Sequence, residues 1–349
     1  MIKIKIFKSD FHTFHPYEKS TNEFKEIGVE FVTGDTFDIA MIGHSMFANK
    51  KVSLKESTEN GLKYLEQFKD IPYILVDGQD SHSLIGTFDI FKQSKAVALL
   101  KSSLLKDKSL YKNSYVGGRY YWGNDPDNPT SNYVAEGYED FKDRILLSGT
   151  NWIGVNPVQW PDYKQYDKLF DISGMFQFPH SECHEHDLKP SQDHYYNKHR
   201  QPVMDILAKS PFMVAKLYKG KRLSPQEYYK YVQHSKVLLA PFGYGEMAPR
   251  DLEAAQLGSL LIKPTMEHIE SSPFIYEENV TYIPCKHDYS DLEEKIEYAV
   301  TNYKELRDEM CQAMRKKYEE QYHPYYLPIH TAELLTKLKN NVPFMVCCD

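Results

Sequence analysis

The residues best suited to chemistry lie within eleven positions, residues 243–253. The segment holds two glycines, a tyrosine, two glutamates and an arginine: Gly243, Tyr244, Gly245, Glu246, Arg250 and Glu253. Glycines let the backbone turn sharply and approach a ligand without a Cβ atom in the way. An arginine binds phosphate, and a glutamate accepts hydrogen bonds from hydroxyl groups. The combination predicts a site for a ligand that carries phosphate and sugar hydroxyls.

The elements around this segment are predicted to place it at the edge of a sheet. Apolar runs at residues 237–240 and 260–262 indicate buried parallel strands. Pro249 fits the first turn of a helix between them, and Gly258 is placed to end it. Unpaired amides at the helix start then face the carboxyl edge of the sheet, where anions bind. An ordinary strand–helix–strand unit with a surface pair of Arg250 and Asp251 is the alternative interpretation.

The same stretch resembles the donor-binding segment of GT-B glycosyltransferases, especially the exostosin-like and related polysaccharide transferases. The resemblance rests on PFGYGE, RDLEAA and GSLLIKP and extends over residues 170–326. It implies a nucleotide-sugar co-substrate, such as a UDP- or GDP-sugar, whose ribose or sugar hydroxyls bind Glu253. Glu246 and Glu253 are seven positions apart, which differs from the glutamate spacing of many retaining members. That subclass is therefore not implied.

A second group of candidates follows two apolar runs in the first half of the chain. Asp77, Asp80 and His82 come after the run at residues 71–76, and His44 comes after residues 37–42. Functional loops collect at the carboxyl ends of parallel strands. A carboxylate or an imidazole there can act as the base that accepts a proton from a hydroxyl group. The alternative is a plain turn at Asp77 with a surface histidine.

Further basic residues are candidates for binding the leaving diphosphate. Lys216 is the preferred one, because it lies near the end of the strand predicted at residues 212–217. Arg200 and Arg222 fit better as solvated surface charges. Amides at a helix start together with basic side chains can hold the diphosphate without a metal, so we expect no metal and no cofactor. The His, Cys and Glu cluster at residues 180–187 lacks the H-E-x-x-H spacing and is interpreted as a solvated loop.

Composition limits the class of protein. The net charge of −7 and the pI near 6.1 argue against a nucleic-acid partner. No apolar run reaches the length of a membrane span. The five cysteines show no C-x-x-C pair, which favours reduced thiols in a cytoplasmic protein. Residues 115–150 contain VGGRYYWGNDPDNPTSN, a long loop of the kind that is often functional.

Alternating strands and helices predict an α/β protein with two Rossmann-like domains. We place an acceptor-binding domain at residues 1–155, a donor-binding domain at 156–325, and a C-terminal helix and tail returning to the first domain at 326–349. The predicted function is sugar transfer from a nucleotide-sugar to a glycan hydroxyl. The rivals are a nucleotide-sugar epimerase or another phosphosugar enzyme, and a non-catalytic glycan- or nucleotide-binding protein. The sequence leaves the oligomeric state open.

Overall fold

The protein is described by a computed structural model, which covers residues 1–8, 13–47, 53–151, 153, 159–176, 190–215 and 223–341. The described residues form two compact units. The first unit takes in those of Met1–Val155, Ile269–Pro273 and Tyr322–Asp349, and the second takes in those of Asn156–His268 and Phe274–Gln321. Each unit is built around its own parallel sheet.

The first sheet has six strands in the order β2-β1-β3-β4-β5-β9, all paired in parallel. They are β1 (Ile2–Phe7), β2 (Val29–Phe31), β3 (Ile39–Gly43), β4 (Tyr73–Asp77), β5 (Ala98–Lys101) and β9 (Ile145–Leu147). The helices of this unit are α1 (His15–Lys19), α2 (Thr21–Glu26), α3 (Leu54–Leu65), α4 (Thr87–Phe91), α5 (Tyr138–Phe141) and α11 (Tyr326–Asn341). Parallel pairing brings the carboxyl ends of β3, β4 and β5 to one edge, where the candidate side chains of this unit follow the strands.

Both faces of this sheet are buried, which explains the continuous apolar runs of its strands. Along β4, for example, Leu75 packs into one core and Ile74 and Val76 pack into the other. The second of these cores also holds leucines of α11: Leu327, Leu334, Leu335 and Leu338. The predicted return of the C-terminal helix to the first domain is therefore confirmed.

The second sheet has five parallel strands in the order β11-β10-β12-β13-β15. They are β10 (Phe170–Ser173), β11 (Val214–Ala215), β12 (Ser235–Leu239), β13 (Leu260–Pro264) and β15 (Ile283–Cys285). The helices are α6 (Pro190–Lys209), α7 (Pro225–Gln233), α8 (Pro249–Gln256), α9 (Leu292–Thr301) and α10 (Tyr303–Gln321). Gly258 follows α8 with φ of +69°, so a glycine ends this helix as the sequence predicts.

Two short antiparallel pairs complete the first unit. One joins β7 (Tyr115–Val116) to β8 (Asn132–Tyr133), and the other joins β6 (Ser103–Leu105) to β14 (Ile269–Ser271). All of residues 156–325 are predicted to lie in the second domain, whereas β14 pairs within the first unit. The reason is a long-range backbone pairing that no local pattern marks. Among the described residues, no helix is both long and apolar enough to cross a membrane.

Candidate active site

The glycine turn of the second unit makes room for a protein side chain. A Cβ atom on Gly243 would lie 2.9 Å from Nη2 of Arg200 and 3.1 Å from the Tyr196 ring. Arg200 is buried, stacks 4.1 Å above the Tyr196 ring and donates from Nε to the Phe242 carbonyl oxygen over 2.7 Å. It also donates from Nη2 to the Pro241 carbonyl oxygen over 3.2 Å. The interpretation of Arg200 as a solvated surface charge is therefore wrong. Its side chain is buried and bonds to two carbonyl oxygens that directly precede the glycine turn.

The rest of the turn is compact. The amide of Gly243 donates to the Gly245 carbonyl oxygen over 3.2 Å. Tyr244 is half-buried, and its ring centroid lies 4.8 Å from that of Tyr196. The turn therefore leads directly into the start of α8 with an aromatic pair at its rim.

A buried lysine fixes the start of α8. Lys263, on β13, donates from Nζ to Oδ2 of Asp251 over 2.5 Å and to the Glu246 carbonyl oxygen over 2.8 Å. Oδ2 of Asp251 also accepts from the Ala248 amide over 3.1 Å and from the Tyr276 hydroxyl over 2.6 Å. Burial lowers the pKa of Lys263, and the charge of Asp251 works against that shift. Asp251 is 1 % exposed, so the alternative of a surface Arg250–Asp251 pair is wrong.

Arg250 and Glu253 are the other charged side chains of α8. Nη1 of Arg250 is buried and has no hydrogen-bond partner among the described residues. Oε1 of Glu253 accepts from the hydroxyl of Tyr229, on α7, over 3.0 Å. Burial raises the pKa of Tyr229 to about 12, and the charge of Glu253 adds to the shift. The phenol is thus a stable donor that holds the glutamate beside the helix start.

Glu246 lies in the loop after β12 and is only 2 % exposed. Its Oε1 is 3.7 Å from Nε2 of His268, which follows β13. The ring of His268 stands nearly perpendicular to that of His287, 4.8 Å away. Burial lowers the pKa of His287, and the neighbouring His268 lowers it further. One carboxylate and two imidazoles thus gather at the carboxyl ends of three neighbouring strands.

Three predicted features fall outside the described residues. They are Lys216, the preferred diphosphate-binding lysine, Arg222, and the His, Cys and Glu cluster at residues 180–187. Their predicted roles stay predictions.

In the first unit, Asp77 ends β4 and forms a buried ion pair. Its Oδ2 lies 3.0 Å from Nζ of Lys101, at the end of β5, and both side chains are 0 % exposed. Its Oδ1 accepts from the Gln79 amide over 2.9 Å. Burial alone would raise the pKa of Asp77, but the charges of Lys101 and His44 and these hydrogen bonds outweigh it and hold the pKa below its usual value. The surroundings of Asp77 therefore favour its ionised form.

His44 is the member of this group that reaches the surface. It follows β3, its side chain is 21 % exposed, and its Nδ1 lies 4.0 Å from Oδ1 of Asp77. Nδ1 is buried and has no hydrogen-bond partner among the described residues, so Asp77 acts on the ring through its charge and not through a hydrogen bond. A half-buried imidazole in front of a buried carboxylate is an arrangement suited to general base catalysis.

The loop after β4 is fixed by the same lysine. Nζ of Lys101 also donates to the Ser83 carbonyl oxygen over 2.7 Å. The neighbouring His82 is buried, and its Nε2 accepts from the Tyr120 amide over 3.1 Å. Asp80, in the same loop, is half-buried, and the chain thus brings Asp77, His44 and the His82 loop to one edge of the sheet.

No protein-family model matches the sequence, and no curated protein matches it. Solved structures do match. Sucrose-phosphate synthase from Thermosynechococcus elongatus has a TM-score of 0.50 at 10 % identity, over 98 % of this chain and 100 % of that one. The chain has the GT-B fold.

Two further matches are weaker in structure. A glycosyltransferase from Rickettsia africae gives a TM-score of 0.42 at 11 % identity, over 97 % of this chain and 99 % of that one. HepE from Anabaena, solved in complex with UDP-glucose, gives 0.41 at 10 % identity, over 96 % and 100 %. The predicted fold is confirmed, and the narrower exostosin-like resemblance stays a prediction.

Sequence reasoning missed the two buried lysines that bond to the loops beside the candidate sites. Lys101 and Lys263 are each the polar member of an otherwise apolar strand, in the runs ALLK and LLIK. A lysine inside a buried parallel strand needs a carboxylate or carbonyl partner, because an unpaired buried charge is costly. That signal marks the two positions, although it does not name their partners.

Proposed function

We propose that this chain is a glycosyltransferase that moves a sugar from a nucleotide-sugar to a hydroxyl group of a glycan acceptor. The donor binds to the second unit and the acceptor binds to the first. Fold alone does not assign function. The observation that carries the proposal is the start of α8, which follows a glycine turn. There Nη1 of Arg250 has no hydrogen-bond partner among the described residues, and the carboxylate of Glu253 is held by Tyr229.

The donor is bound by complementary groups at that helix start. The diphosphate takes hydrogen bonds from the guanidinium and the backbone amide of Arg250, at a helix start whose dipole favours negative charge. Glu253 accepts hydrogen bonds from ribose or sugar hydroxyls. The positive charge of Arg250 and the dipole of α8 stabilise the negative charge of the leaving diphosphate, so the proposed reaction requires no metal.

The acceptor is activated by His44. Nε2 of His44 takes the proton of the acceptor hydroxyl as its oxygen forms the new bond to the sugar C1 atom. The bond from C1 to the diphosphate oxygen breaks, and the nucleoside diphosphate leaves with that electron pair. Asp77 lies behind the ring, 4.0 Å from Nδ1, and stabilises the imidazolium. Lys101 holds Asp77 in place and is a positioning residue.

A thermal-shift panel of nucleoside diphosphates and nucleotide-sugars tests the donor site. A ligand that binds only the folded state raises the melting temperature by mass action. We expect one nucleotide-sugar class to raise it in the natural protein and not in Glu253→Ala. Glu319→Ala, which changes an exposed pair on α10, is the matched control and should respond like the natural protein. A panel with no shift would contradict the proposal.

Turnover with that donor then tests the reaction. We expect transfer to a glycan, retained in EDTA, with kcat lowered about 10³-fold in His44→Ala. Conversion of the donor without an acceptor would favour an epimerase instead. Donor binding without turnover on any acceptor would favour a non-catalytic binding protein.

A further inference from the structure

A cavity of about 440 Å³ lies in the first unit beside β9, the strand at one edge of the six-stranded sheet. Side chains of β6, β9, β14, α5 and α11 contribute to its wall. Its volume falls in the range of about 300–1,000 Å³ that is typical of small-molecule sites. The described residues that line it include no member of either candidate site, so the cavity is a separate feature of the chain.

Tyr138, on α5, brings a polar group without a partner to this wall. The residue is 2 % exposed, and its hydroxyl oxygen is buried without a hydrogen bond to any described residue. Its ring packs against that of Tyr111, with 4.6 Å between the centroids. Burial raises the pKa of Tyr138, and the charges of Glu139, Glu270 and Asp143 raise it further. Glu270 and Asp143 also line the cavity, which places the hydroxyl end of the ring on the cavity side.

The hydroxyl of Tyr138 defines one requirement for a ligand. Because its pKa is raised, the phenol stays a neutral hydrogen-bond donor. A buried donor without an acceptor costs free energy, since it has lost its hydrogen bonds to water. A ligand that carries an oxygen acceptor removes this cost when it binds.

The rest of the wall indicates an uncharged ligand with an apolar body. Leucine and isoleucine side chains of β6, β9 and α11 form the apolar part. Three lysines and three carboxylates also line the cavity, so their charges balance: Lys108, Lys142, Lys337, Asp143, Glu270 and Glu333. Lys108 pairs with Glu270, and Lys142 pairs with Glu139. An ion gains little net attraction from such a wall, whereas an apolar group gains from burial.

We propose that this cavity binds an uncharged small molecule with an apolar body and a carbonyl oxygen that accepts a hydrogen bond from Tyr138. The carbonyl belongs to a ketone, an ester or an amide. Four of the lining residues lie on α11, namely His330, Glu333, Leu334 and Lys337. The ligand therefore also holds α11 against the first sheet. The inference does not depend on sugar transfer, because it concerns residues outside both candidate sites.

A matched set of probes tests the ligand class. Benzophenone is uncharged and carries one carbonyl oxygen, and diphenylmethane has the same two rings without it. The anion 4-benzoylbenzoate and the cation 4-(aminomethyl)benzophenone add a charge to the same body. In calorimetry with the full chain we expect benzophenone to bind most tightly of the four. Hydrogen exchange should show that it increases the protection of α11.

Tyr138→Phe tests the role of the hydroxyl. The ligand-free variant should melt at the same temperature as the natural protein or higher, because it lacks a buried polar group without a partner. Its Kd for benzophenone should rise about fivefold, the effect of one lost hydrogen bond. Its Kd for diphenylmethane should not change. Tyr325→Phe is the matched control, because it removes an exposed hydroxyl that donates to Glu26 outside the cavity, and it should bind like the natural protein.

Leu147→Trp locates the site. The larger ring fills part of the cavity that Leu147 lines and should abolish benzophenone binding. No binding of benzophenone to the natural protein, tighter binding of a charged derivative, or equal affinity in Tyr138→Phe would each overturn the inference. A lower melting temperature of ligand-free Tyr138→Phe would do so too, since the hydroxyl would then have a partner within the protein. The proposed sugar transfer would stand in all of these cases.

Discussion

Each unit buries a lysine–aspartate pair at the carboxyl end of its parallel sheet, yet the two pairs support different tasks. In the first unit, Asp77 and Lys101 end neighbouring strands, and Asp77 faces His44. In the second unit, Lys263 reaches from β13 to Asp251 in the first turn of α8. The first pair places a charge behind an imidazole, and the second places the start of a helix.

The difference shows that a buried lysine–aspartate pair can position either a side chain or the start of a helix. A buried ion pair is expensive to desolvate and is weak evidence for stability by itself. Here each pair also bonds a loop carbonyl, that of Ser83 in the first unit and that of Glu246 in the second. Both lysines therefore fix a loop next to a candidate site, and we infer that their value lies in positioning.

Removing either lysine is the change with the largest expected effect on stability. Lys101→Met and Lys263→Met should each lower the free energy of unfolding by about 3–5 kcal/mol, because each leaves an aspartate buried without its counter-charge. Urea unfolding measures this loss. Arg315→Ala breaks an exposed pair on α10 and should cost about 0.5 kcal/mol or less. A loss of about 0.5 kcal/mol or less in either lysine variant would mean that its aspartate does not depend on the buried counter-charge.

Neutralising the two aspartates should separate catalysis from donor binding. Asp77→Asn should lower kcat about 100-fold with little change in KM for the donor, because an amide no longer stabilises the imidazolium of His44. Asp251→Asn should raise KM for the donor, because it loosens the start of α8, and should lower kcat less. Steady-state kinetics, measured well below the melting temperature of each variant, gives kcat and KM for the donor and so separates the two roles. The same pattern in both variants would mean that the pairs have one common role.

Local signals made the elements of both units predictable. The strand at residues 71–76 is visible as an apolar run, and Gly258 follows α8 at the place where the sequence predicts that a glycine ends the helix. Parallel strands also made it foreseeable that His44 and Asp77 would end at one edge of the sheet. These inferences need only periodicity, caps and the rules of parallel pairing.

The supports of the sites depend on contacts that no local pattern encodes. Lys101 and Asp77 are 24 positions apart, and Arg200 and Phe242 are 42 apart. Gly243 shows the same limit, because the group nearest to its missing Cβ atom is the guanidinium of Arg200, on a distant helix. Sequence reasoning therefore found candidate groups but could not tell an exposed arginine from a buried one that bonds to the backbone of a turn.

Lowering the pH should destabilise the second unit and not the first, with a smaller effect than the lysine substitutions. In the second unit, burial and the nearby Arg200 and His287 lower the pKa of His199 to about 3. The unfolded chain binds a proton there below about pH 6.5 while the folded unit does not, so the stability of this unit falls as the pH drops. The expected loss at pH 5 is about 2 kcal/mol. In the first unit the pKa of Asp77 is lowered, so its ion pair persists at that pH.

Hydrogen exchange at pH 7 and pH 5, corrected for the intrinsic exchange rate, measures the protection of backbone amides in each unit separately. We expect α6 and β12 to lose protection at pH 5 while β3 and β4 keep theirs. His199→Gln keeps a polar group near the Tyr289 hydroxyl, which lies 2.9 Å from Nε2 of His199 in the natural protein. It removes the ionisable ring, so the variant should lose much less protection between the two pH values. Equal losses in both units, or an unchanged loss in the variant, would mean that the buried imidazole is not what makes the second unit acid-sensitive.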